Sequence, residues 1–87
     1  MKNIETIALE IQTAKEKYGN FNSTHEVYGV LIEEVEEFFD VVKKGNYAND
    51  DEEKWTKVDL MKSELTQIAA IALRAIDELE HSKINWI

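Results

Sequence analysis

The stretch Leu31-Ile32-Glu33-Glu34-Val35-Glu36-Glu37-Phe38 decides the fold, because its apolar residues recur at spacings of three and four. At about 100° per residue, Val27, Val30, Leu31, Val35, Phe38, Val41 and Val42 fall on one broad arc, the pattern of an amphipathic helix. Glu34 lies inside that arc, three residues after Leu31 and four before Phe38. Glu37 stands at the arc's edge, whereas Glu33, Glu36 and Asp40 point to the opposite, wet face. An acidic run on a helix is ordinarily a solvated face. A carboxylate within the apolar arc is different: leaving water unpaired is costly, and a cation, a proton or a metal must offset that cost.

Outward from this segment, the helix is expected to run from about 24 to 44. Ser23-Thr24-His25-Glu26 reads as a capping box at its start. A first helix over about 2–18 sets Ile4, Ile7, Ala8, Ile11, Ala14 and Tyr18 on one stripe, followed by a turn at Asn20-Phe21-Asn22. Gly19 and Gly45 fall where the periodicity stops, as helix C-caps do. Gly29, inside the second helix, costs about 1 kcal/mol relative to alanine, and a close helix crossing or chance would account for it. Residues 45–51 are turn-rich, with Asp50 or Asp51 placed to cap the next helix.

That third helix extends to about residue 80, either unbroken from about 51 or with a short lead-in containing Trp55. Met61, Leu65, Ile68, Ala72, Ala75, Ile76 and Leu79 form its stripe. Glu64 sits among Ile68, Ile71 and Ala75, Gln67 takes the edge position, and Arg74 lies two turns further along the same flank. Alanines at 69, 70, 72 and 75 permit close approach of another helix. In the tail 82–87, Trp86 and Ile87 look like packing residues. The chain thus reads as a single domain spanning 1–87. Its fold class is all-α, an antiparallel bundle of about three to four helices.

With 87 residues, 44 % of them apolar, and no cysteine to cross-link it, the core is expected to be completed by oligomerisation. The lack of cysteine excludes thiolate zinc sites and thiol catalysis and fits a cytoplasmic location. No segment approaches a membrane span, and the N-terminus has no signal-peptide core. A net charge of −8 argues against a nucleic-acid polymer as partner, yet leaves a nucleotide open, because a bound divalent cation inverts the local field.

No phosphate-binding glycine loop occurs. His25-Glu26 begins like a zinc-protease motif but meets Gly29 where the second histidine belongs, so His25 is a first-turn residue. His81 stands near a helix end, where a positive charge suits the dipole. Tyr18, Phe21, Tyr28, Phe38, Phe39, Tyr47 and Trp55 offer either core packing or a stacking surface for a base.

The two helices therefore carry E-x-x-E (Glu34, Glu37) and E-x-x-Q (Glu64, Gln67) on inward or edge positions. Three carboxylates and an amide oxygen suit a hard cation, Mg²⁺ or alternatively Mn²⁺, completed by substrate phosphates. Arg74 is placed to offset phosphate charge.

At these residues, over about 20–80, the chain resembles the MazG-like all-α nucleoside triphosphate pyrophosphohydrolases, which carry E-x-x-E on one helix and E-x-x-D on a later one. The resemblance implies a homodimer or homotetramer that hydrolyses NTPs or dNTPs to monophosphate and pyrophosphate, with Glu34, Glu37 and Glu64 as metal ligands and catalytic residues. Gln67 stands where that pattern has aspartate. A neutral amide offers a carbonyl oxygen to a cation but cannot act as a base. The alternative is a catalytically degraded acidic helical oligomer that binds a nucleotide or a protein partner without turnover.

Overall fold

The computed structural model describes residues 2–45 and 51–81. They form three helices, α1 (Lys2–Tyr18), α2 (Thr24–Gly45) and α3 (Asp51–Glu80), and no strand is present among the described residues. The third helix is unbroken, so Trp55 belongs to its first turns rather than to a separate lead-in. The expected positions of Asp50, Tyr47, Trp86 and Ile87 lie outside the described residues.

Local chemistry sets the boundaries. Gly19 ends α1 at a φ of 71°, the left-handed conformation that suits a residue without Cβ, and its N–H bonds Lys15 O at 2.9 Å. Ser23 Oγ accepts the Glu26 N–H at 3.2 Å, the first half of the expected capping box. The Glu26 carboxylate accepts from Asn22 Nδ2 at 2.8 Å and ties the turn to the helix.

The long α3 is the centre of the molecule. It packs against both α1 and α2, which do not pack against each other among the described residues. Contacts fix the directions. Glu10 pairs with Gln67 and Lys15 with Asp77, so α1 runs parallel to α3. Val27 and Leu31 pack near Ile71 and Ala75 while Glu34 meets Glu64, so α2 runs antiparallel to it.

The core is small: Phe21, Ile71 and Ala75 are buried, with Val27, Val30 and Leu31 packed on them. Several residues expected on apolar stripes are exposed, including Ile4, Ala8 and Tyr18 on α1, Val35 on α2, and Leu65, Ile76 and Leu79 on α3. Each outer helix touches one neighbour only, so only one edge of its stripe is covered. Ile7, Ile11 and Ala14 on α1 are half-buried accordingly.

Gly29 has no close crossing to explain it, since a Cβ added there meets nothing within 4 Å. Gly29→Ala should therefore stabilise α2 by about 0.5–1 kcal/mol through the lower entropy of the unfolded chain. A rise in the urea midpoint would report it, and an unchanged or lower midpoint would show a hidden constraint at residue 29.

Candidate functional site

Glu34, Glu37 and Glu64 meet across the α2–α3 contact, each offering a carboxylate oxygen, with all three oxygens within 4.8 Å of one another. The helix period brings them together. Glu34 and Glu37 are one turn apart on α2, and the antiparallel partner presents Glu64 opposite them. Glu34 and Glu64 are half-buried and Glu37 is exposed, so the cluster opens to solvent on one side.

Crowding shows in the protonation. Glu34 is pushed up from 4.5 to about 7, first by burial, then by the adjoining Glu64 carboxyl and by the charge of Glu37. The Glu37 carboxyl is also raised, by partial withdrawal from water and then by the negative charge of Glu64. Glu34 Oε2 and Glu64 Oε2 are buried and have no hydrogen-bond partner. Buried carboxylate oxygens without a donor are rare, and a hard cation fits this donor set.

Gln67 lies near this group but its amide is turned towards α1, with Nε2 donating to Glu10 Oε2 at 2.9 Å. Its carbonyl oxygen is the atom that could reach a cation. This geometry bears on restoring the acid. Gln67→Asp sets a carboxylate against Glu10 and should destabilise the α1–α3 contact by about 1 kcal/mol or more. Adding Glu10→Gln should recover that loss, a coupling that a double-mutant cycle in urea measures directly. Simple additivity would show that the Glu10–Gln67 bond contributes nothing.

Arg74 is buried, and two of its nitrogens are committed. Nε donates to Glu78 Oε2 at 2.9 Å and Nη2 to the Gly19 carbonyl, while the guanidinium lies 4.0 Å from the Phe21 ring centroid. Glu78 is 0 % exposed, and its other oxygen accepts the Phe21 N–H at 2.6 Å. The group expected to bind phosphate thus also fastens the α1–α2 corner to α3, and its charge is neutralised by Glu78.

Sequence reasoning missed Glu78, although a signal existed. It follows Glu64 by fourteen residues, two heptads, and so returns to nearly the same face of α3. It also stands four residues after Arg74, the spacing of an ion pair. Glu10, the partner of Gln67, carried no such signal, because it lies on a separate helix.

Between α1 and α2, over α3, lies an open cavity of about 490 Å³. Its apolar wall includes Tyr18, Phe21, Val30 and Ile71; its polar groups include Glu34, Gln67 and Arg74. The volume is in the range of small-molecule sites, and Glu34 joins the cavity to the carboxylate cluster. A second grouping, Asp77, Glu80 and His81, sits at the solvent-exposed end of α3. There Asp77 already pairs with Lys15 at 3.1 Å and with His81 at 3.4 Å. No helix among the described residues is long and apolar enough to cross a membrane. Comparisons with family models, curated proteins and solved structures find no match for this chain.

Proposed function

We propose that the protein is a Mg²⁺-dependent nucleoside triphosphate pyrophosphohydrolase, acting as a homodimer or homotetramer, with Glu34, Glu37 and Glu64 as the cation ligands. One observation carries this reading: three convergent carboxylates of which two bear buried, partnerless oxygens. A structural cluster would have its oxygens paired by lysine or arginine, as Glu78 is paired by Arg74.

When bound, Mg²⁺ (or Mn²⁺) would polarise a phosphoryl oxygen and lower the pKa of a coordinated water. The chain's own residues supply the rest. Glu34 and Glu64 hold the inner side of the site, and Glu37, exposed at its rim, faces incoming solvent and phosphates. Gln67 offers its carbonyl oxygen while its Nε2 is anchored by Glu10. The cavity beside Glu34 has room and aromatic surface for the organic part of a nucleotide, with Tyr18 and Phe21 on its wall.

A second reading is favoured by Gln67: a non-catalytic acidic oligomer that binds nucleotide or a protein partner. The amide turned towards Glu10 is consistent with a residue serving helix packing.

Calorimetric titration with Mg²⁺ and Mn²⁺, alone and with a non-hydrolysable nucleoside triphosphate, separates the two. Saturable binding to wild type that weakens at least about tenfold in both Glu34→Gln and Glu64→Gln is expected, since each removes one charged ligand from the set. Turnover of NTPs to monophosphate and pyrophosphate would then distinguish enzyme from binder. Metal binding that survives both substitutions unchanged would sink the ligand assignment.

A further inference from the structure

The cavity between α1 and α2 has two chemically different ends. Glu34 and Gln67 mark the first, beside the carboxylate cluster. Glu26, Arg74, Tyr18 and Phe21 mark the second. Glu26 precedes Glu34 by eight residues on α2, about 12 Å at a rise of 1.5 Å per residue. Because α2 and α3 are antiparallel, Arg74, two turns after Gln67, is carried to that same second end. The span matches the reach from the phosphates of one nucleotide to the edge of its base.

The second end offers a fixed acceptor beside flat surface. Glu26 is half-buried on the cavity wall. Its backbone N–H is held by Ser23 Oγ at 3.2 Å, which seats the residue in the first turn of α2. Asn22 Nδ2 donates to its carboxylate at 2.8 Å and uses one of the roughly four acceptor positions that a carboxylate offers. No lysine or arginine pairs with Glu26 among the described residues. Arg74, on the same wall, is held by Glu78 and the Gly19 carbonyl instead, with its guanidinium 4.0 Å from the Phe21 ring centroid. It is therefore not free to neutralise Glu26. Tyr18, 69 % exposed, gives this end an aromatic surface that a base can cover.

We propose that Glu26 reads the base of the bound nucleotide and selects guanine, an inference that rests on the nucleotide reading given above. A carboxylate has acceptors only, and its two oxygens are spaced to receive two parallel N–H donors. Among the common bases guanine alone presents such a pair, N1–H and the 2-amino group side by side. Adenine and cytosine set one amino group next to a ring nitrogen acceptor, which would face the second carboxylate oxygen. Uracil and thymine set one N–H between two carbonyls. Hypoxanthine keeps N1–H and lacks the amino group. An acceptor pressed against a carboxylate loses its water and gains no donor, so the other bases are rejected and not merely less favoured. Asn22 is a positioning residue in this arrangement, because it holds the carboxylate that makes the contact.

Calorimetric titration in saturating Mg²⁺ tests this with α,β-non-hydrolysable triphosphates of guanosine, inosine, adenosine, cytidine and uridine. Wild type should bind the guanosine form at least about tenfold more tightly than each of the others, the worth of one hydrogen bond to a charged acceptor. Glu26→Gln should lose that preference, since the amide turns an N–H towards the guanine donors, while Mg²⁺ binding without nucleotide is retained. Equal binding of all five forms would overturn the inference and leave the phosphohydrolase reading standing. A guanine preference undiminished in Glu26→Gln would overturn it too. Mg²⁺ binding with no nucleotide bound would overturn the nucleotide reading and this inference with it. Should Glu26→Gln lose its helical circular dichroism, the comparison of guanosine with inosine in wild type decides alone, since the two differ only in the 2-amino group.

Discussion

Arg74→Met should lower stability by about 3–5 kcal/mol, the largest effect expected of a single substitution in this chain. The physical reason is the partner it leaves behind. Glu78 is 0 % exposed, and with Arg74 gone it keeps only the Phe21 N–H at 2.6 Å to hold a carboxylate out of water. The bond from Arg74 Nη2 to the Gly19 carbonyl and the cation–π contact with Phe21 go at the same time. A domain of this size has only about 4–13 kcal/mol in total, so the variant should unfold at low urea or fail to accumulate. The double variant Arg74→Met/Glu78→Leu should recover a large part of the loss, since no charge then stays buried. It should still fall about 1–3 kcal/mol short of wild type because the Phe21 N–H is orphaned. Urea denaturation followed by circular dichroism gives both numbers. A single variant within 1 kcal/mol of wild type would mean that the corner at residues 19–23 is held by packing alone.

Glu34→Gln should have the opposite sign at neutral pH: a more stable fold with a weaker cation site. Glu34 titrates at about 7 in the folded chain, against its ordinary 4.5. Between those values the folded state binds the proton that the unfolded state has released, so stability falls as pH rises through that window and levels off above it. The raised Glu37 adds in the same direction. The part of this loss due to Glu34 is on the order of 1–3 kcal/mol between pH 4.5 and 8 and should vanish in Glu34→Gln. At pH 8 the variant is therefore the more stable protein, and at pH 4.5 the two should be alike. Saturating Mg²⁺ should reverse the order at pH 8, because a ligand that binds only the folded state adds stability with its concentration. Thermal melts at the two pH values, with and without Mg²⁺, supply the four points. A wild type whose stability is flat from pH 4.5 to 8 would show that the carboxylates are not crowded in solution. A Mg²⁺ response retained in full by the variant would remove Glu34 from the ligand set.

Protonation and cation binding compete for the same oxygens here. Glu34 Oε2 and Glu64 Oε2 have no donor from the protein, and a group of three acids within 4.8 Å cannot stay fully ionised without help. The ion pair of Glu78 with Arg74, on the same helix, shows how this fold treats a carboxylate that it does mean to neutralise.

The all-helical class, the bounds of the first two helices and the inward or edge placement of Glu34, Glu37 and Glu64 on their own helices were determined by the sequence alone, because all three follow from local rules. Periodicity marks the faces, Gly19 and Ser23 mark the ends, and a carboxylate within an apolar arc stands out without any knowledge of its neighbour. Tertiary structure decided what those faces meet. The apolar stripes of α2 and α3 are too wide for one another, and a wheel cannot say which edge is covered; Val27 and Leu31 pack inward while Val35 stays exposed. Only the packing revealed that Gln67 is turned to Glu10 and that Arg74 is clasped between Glu78, Gly19 and Phe21. Those partners lie more than fifty residues away or on another helix, apart from Glu78 itself. The pairing of a polar side chain depends on where other backbones pass, and the local helical period carries no information about that.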